Sequence, residues 1–128
     1  MRIYLDTSVY NRPFDDQSQP RIWMETLALA LVLQLVEAGE ATLVNSSVLE
    51  FENTRNPIPL RRDWMTRCLK LSTVHQSVNT SIRTRASAFE KHGLKAIDAL
   101  HVACAEFAEV DYFLVCDDRL LRKRRHIQ

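Results

Sequence analysis

A chain of 128 residues, 46% hydrophobic and 26% charged, has the size and balance of one globular domain, which excludes a multidomain assembly and a wholly disordered chain. Seventeen basic residues against sixteen acidic ones leave a net charge of +1, so any nucleic-acid recognition must come from local patches rather than bulk charge. Two glycines are too few for a Gly-rich phosphate cradle. The cysteines Cys68, Cys104 and Cys116 are odd in number and lack CxxC spacing, which argues against a disulfide framework and a thiolate zinc site. Their apolar neighbours predict buried free thiols in a reducing, cytoplasmic compartment. Asp6 falls where the apolar core of a signal peptide would begin. The most hydrophobic stretch, Leu27 to Val36, is broken by Gln34 and is far short of the roughly 20 residues of a membrane span.

Along the chain, Ile3 to Leu5 predicts a short strand that ends at Asp6-Thr7-Ser8. Asn11 to Gln19, with a proline and two aspartates, reads as a loop. Pro20 suits the first turn of a helix that covers Ile22 to Ala38 and stops at Gly39. That helix is apolar nearly all round, which predicts burial on two sides, one of them in a subunit interface. Ala41 to Val44 predicts a second strand. Ser46 or Ser47 can then cap a helix carrying Val48, Leu49, Phe51 and Glu52, broken at Asn56-Pro57. Further helices are expected over Leu60 to Leu71, Val78 to His92 and Lys95 to Ala108, the last with Ile97, Leu100, Ala103, Cys104 and Phe107 on one face. Short strands are expected at Ser72 to His75 and Tyr112 to Cys116, and a final helix from Asp118 to Arg125. Alternating strands and helices imply a single α/β domain over residues 1–128, with a mainly parallel central sheet flanked by helices.

In such sheets functional groups gather beyond the carboxyl ends of the strands, which singles out Asp6 and Asp117. Asp98 is a third candidate, because a carboxylate on an otherwise apolar helix is costly unless paired or bound to a cation. His101 lies one turn further along and near the same face. Glu50 and Glu52 compete for a fourth place, since two residues apart on a helix they point about 200° from each other. Glu52 shares a face with Val48 and Leu49 and is favoured as the inward carboxylate, with Glu50 as the alternative. Several carboxylates without cysteine suit a hard divalent cation such as Mg²⁺ or Mn²⁺. A two-component receiver would need a paired acid at the first strand end, and a haloacid-dehalogenase-type phosphatase an Asp at the position of Ser8.

Leu5-Asp6-Thr7-Ser8-Val9, Glu52, Ile97-Asp98-Ala99-Leu100-His101-Val102-Ala103 and Phe113-Leu114-Val115-Cys116-Asp117-Asp118-Arg119-Leu120-Leu121 together resemble the four acidic motifs of PIN-domain ribonucleases, VapC-type toxins of toxin–antitoxin pairs among them. The resemblance implies a PIN-like three-layer fold and a Mg²⁺ or Mn²⁺ site built by Asp6, Glu52 (or Glu50), Asp98 and Asp117, with Ser8 as an auxiliary polar group. It implies endonucleolytic cleavage of single-stranded RNA, an antitoxin protein as partner and a homodimer. The sequence departs from the family pattern at Val115, where a Thr usually supplies a hydroxyl, and it ends at Gln128, where the family usually adds an edge strand. A non-catalytic PIN-like module that binds RNA or a protein is the alternative, favoured by Val115.

Arg119, Arg122, Lys123, Arg124 and Arg125 crowd together after Asp117 and are candidates, with Arg12, for holding RNA phosphates. Arg55, Arg61 and Arg62 are further candidates. Trp23 and Trp64 lie at helical spacing and are expected in the core rather than as base-stacking platforms.

Overall fold

A computed structural model describes residues 1–116; Asp117, the basic cluster and the predicted final helix lie outside the described residues. Four strands, β1 (Arg2–Leu5), β2 (Thr42–Ser46), β3 (Val74–Gln76) and β4 (Tyr112–Leu114), form one all-parallel sheet in the order β3-β2-β1-β4. Six helices accompany it among the described residues: α1 (Thr7–Asn11), α2 (Pro20–Glu37), α3 (Ser47–Thr54), α4 (Pro59–Leu69), α5 (Thr80–Lys91) and α6 (Ala96–Phe107). Successive strand residues point to opposite faces, and Ile3, Tyr4 and Leu5 are all buried, so helices cover both faces of β1. This is the predicted α/β architecture. Every parallel crossover returns the chain to the same end of the sheet. The ends of β1 and β2, the starts of α1 and α3, and the start of α6 therefore meet there.

The helix boundaries have local causes. Ser46 is extended and its Oγ accepts the Leu49 amide at 3.1 Å, which starts α3 directly at the end of β2. Asn79 caps α5 in the same way through Ile82. Gly39 adopts φ +77° after α2, and the following Glu40 amide reaches back to the Leu35 carbonyl at 2.9 Å.

Two expectations are corrected. The stretch after β1 is not simply a polar strand end followed by a loop. Asp6 caps the five-residue helix α1, and Arg12–Phe14 forms a 3₁₀ turn. Helices of one turn leave no periodicity to read. Helix α2 presents one apolar face to solvent in the single chain, as a helix with one side in a subunit interface would: Leu29 is its buried residue, while Trp23, Met24, Leu27 and Leu31 are exposed, Trp23 at 49%. Trp23 is thus not a core residue, and Phe107 is likewise exposed at the end of α6. Trp64 is half-buried and its Nε1 donates to the Tyr10 carbonyl at 2.8 Å. All three cysteines are buried and free.

Candidate active site

Asp6 is the first residue beyond β1 and is 6% exposed. Its Oδ2 accepts both the amide (3.1 Å) and the hydroxyl (2.7 Å) of Ser8. The same Ser8 Oγ accepts the amide of Cys116 at 3.1 Å, so one hydroxyl ties Asp6 to the chain just beyond β4. Both donors sit on Oδ2, which leaves Oδ1 facing His101 Nε2 at 3.7 Å.

Glu52 approaches from α3. Its Oε1 accepts the Thr7 hydroxyl at 2.6 Å and a short hydrogen bond from His101 Nε2. Neither contact uses Oε2. Burial pushes the Glu52 carboxyl upward, but the hydrogen bond and charge of His101, with the Thr7 hydroxyl, outweigh it and hold Glu52 below the usual carboxylate value. Asp6, Glu52 and His101 each place one ligand-type atom within 4.8 Å of the others. Among the described residues no Lys or Arg pairs with either carboxylate.

Glu50 points elsewhere. It is exposed and bound through Oε1 to His75 Nε2 (2.8 Å) and through Oε2 to Asn45 Nδ2 (3.3 Å). Asp98 is half-buried in the first turn of α6, where the helix dipole favours a carboxylate, and it is not a member of the trio. Arg12 is largely engaged: it pairs with Asp15 (3.2 Å) and Glu25 (3.3 Å) and donates to the Cys116 carbonyl (3.0 Å). Asp117, Arg119, Arg122 and Lys123 lie outside the described residues.

The donor set suits a hard cation. Two carboxylates at close quarters, each with one oxygen held by protein donors and the other accepting no hydrogen bond among the described residues, are a costly arrangement that a divalent ion would relieve.

The sequence model of the PIN domain family matches residues 3–126. The chain belongs to the PIN domain family. The fold agrees: FitAcB from Neisseria gonorrhoeae superposes with a TM-score of 0.57 over 96% of this chain and 93% of that one, at 17% identity, a likeness that speaks for the fold alone. No curated protein is significantly similar to the chain in sequence.

In this PIN domain four neighbours of the acids escaped the sequence reading as site residues: Thr7, His101, Tyr4 and Ser46. Thr7 and His101 grip Glu52. Tyr4 Oη and Ser46 Oγ lie behind His101, at 2.6 Å from its Nδ1 and 2.7 Å from each other. The signal for His101 was its place one turn from Asp98. Nothing local marked Thr7, Tyr4 or Ser46, whose partners are distant in sequence. Among the described residues no helix is long and apolar enough to cross a membrane.

Proposed function

We propose that this PIN domain is a Mg²⁺- or Mn²⁺-dependent endoribonuclease for single-stranded RNA, working in the cytoplasm as the toxin of a toxin–antitoxin pair. The observation that carries the reading is the convergence of Asp6 and Glu52, each pinned through one oxygen, with the other accepting no hydrogen bond among the described residues. Asp6, Glu52, Asp98 and Asp117 are the proposed catalytic carboxylates and together the proposed cation site. A divalent cation bound there would lower the pKa of a water and stabilise charge developing at phosphorus. The chain's own contribution is orientation: Ser8 holds Asp6, while Thr7 and His101 hold Glu52. Arg119, Arg122 and Lys123 are the proposed phosphate contacts. Arg12 is a lesser one, because a phosphate would have to share it with Asp15 and Glu25. The proposed partners are an antitoxin protein and a second copy of the chain.

Cleavage of single-stranded RNA by the purified chain with Mn²⁺, with chelator, and with Asp98→Asn tests this. Cleavage that needs the metal and is lost in Asp98→Asn is expected. RNA binding without cleavage in all three would overturn the enzyme reading in favour of the non-catalytic module that Val115 suggests.

A further inference from the structure

Behind the carboxylates runs a buried line of polar groups. Ser46, Tyr4 and His101 are each fully buried. Tyr4 is wedged by its ring, stacked on Phe113 (centroids 5.5 Å, 14° between planes) and edge-on to His101 (5.8 Å, 68°). No water-facing edge is available to any of the three, so their hydrogens must be placed among themselves and their neighbours.

With the ring neutral and Glu52 ionised, a single arrangement satisfies every contact, whereas a charged ring would carry a hydrogen on both nitrogens. The Glu52 carboxylate can only accept, so His101 Nε2 carries a hydrogen and donates to Oε1. Nδ1 is then an acceptor, and Tyr4 Oη–H donates to it at 2.6 Å. The Tyr4 oxygen in turn accepts from Ser46 Oγ–H at 2.7 Å, and Ser46 Oγ accepts from the Leu49 amide at 3.1 Å. Hydrogen bonds therefore point one way from the first turn of α3, through β2, β1 and α6, back to Glu52 on α3.

We infer that Tyr4 and Ser46 are positioning residues that lock His101 as an Nε2–H donor to Glu52, so that Glu52 presents its other oxygen to the cation. The inference rests on the metal-dependent reading of the site. It also gives His101 a role different from its neighbours: its Nε2 lone pair is used by the hydrogen, so within the trio it orients a ligand rather than serving as one. Partners of this kind behind a metal ligand are worth about 10- to 100-fold in metal affinity.

The test combines long-range ¹H–¹⁵N NMR of His101, in the full chain with and without Mg²⁺, with calorimetric titration of Mn²⁺. The variants are Tyr4→Phe and, as a matched control, Tyr10→Phe. Tyr10 is equally buried, but its hydroxyl has no hydrogen-bond partner among the described residues. The expected result is an Nε2–H tautomer in the wild type with and without Mg²⁺. Tyr4→Phe should give mixed tautomers and an Mn²⁺ dissociation constant raised about 10-fold, while Tyr10→Phe changes neither. An Nδ1–H tautomer or a doubly protonated ring in the wild type overturns the inference, and that spectrum decides even if Tyr4→Phe fails to fold. So does Tyr4→Phe matching the wild type, or both variants losing Mn²⁺ equally. A wild type that binds no Mn²⁺ overturns the metal reading itself, separately from the tautomer result.

Discussion

The Thr7 hydroxyl donates a 2.6 Å hydrogen bond to Glu52 Oε1, joining the first residue of α1 to the middle of α3. Because Thr7 directly follows Asp6, this bond sets where the second carboxylate stands relative to the first. Thr7→Val keeps the shape and removes the donor to a charged acceptor, which should lower stability at neutral pH by about 1.5–3 kcal/mol. Thr7→Ser should stay close to wild type. Urea denaturation of the three proteins checks this, and equal midpoints for Thr7→Val and wild type would show the bond to be dispensable.

The two glutamates of α3 should behave differently. Glu52→Gln removes a carboxylate of the cation site beside Asp6 and should abolish most metal-dependent cleavage, on the order of 10²-fold or more. Glu50→Gln touches an exposed contact to His75 and a part-buried one to Asn45, both away from Asp6 and Glu52, and should change the rate less than about threefold. Comparable losses in both variants would refute the assignment of Glu52 as the site carboxylate.

Alkaline pH should destabilise the fold. Burial pushes the Cys68, Cys104 and Cys116 thiols up to about 11, above the 9.0 of an exposed thiol. Their raised values mean that the native state keeps its protons where the unfolded chain loses them. The stability they contribute is present below pH 9 and lost as pH rises toward 11, by up to about 2–3 kcal/mol per thiol. Chemical denaturation at pH 7, 9 and 10.5 should show a flat stability and then a decline. A curve that stays level through pH 10.5 would mean the thiols ionise as freely in the fold as outside it.

Association is expected through α2. Trp23, Leu27 and Leu31 recur every four residues on its exposed side, with Met24 beside them, and a stripe of that kind is unusual on an isolated soluble monomer. A twofold dimer is the commonest way to cover it. Sedimentation at micromolar concentration should give a dimer in the wild type and a monomer for Leu27→Glu. A wild type that sediments as a single 14.8 kDa species would rule the dimer out.

What the sequence alone determines here is whatever depends on neighbours along the chain. The alternation of strands and helices, a serine cap at Ser46 or Ser47, the stop at Gly39, the parallel sheet and the place of Asp6 beyond β1 follow from local pattern and the geometry of crossovers. Helix phase favours Glu52 over Glu50, because it puts Glu52 on the side of Val48 and Leu49. Tertiary structure decided the rest. His75 on β3 draws Glu50 outward, His101 on α6 holds Glu52 inward, and Ser8, which holds Asp6, accepts the amide of Cys116 from 108 residues further along the chain. It also decided that α2 shows an apolar face to solvent, since only the packed sheet reveals which side of a helix apolar all round is left without cover. Hydrogen bonds between residues far apart in the chain leave no mark on either one's neighbours. Local periodicity can therefore place an acid at a strand end, but the atom that holds its carboxylate is known only once the crossovers have brought the elements together.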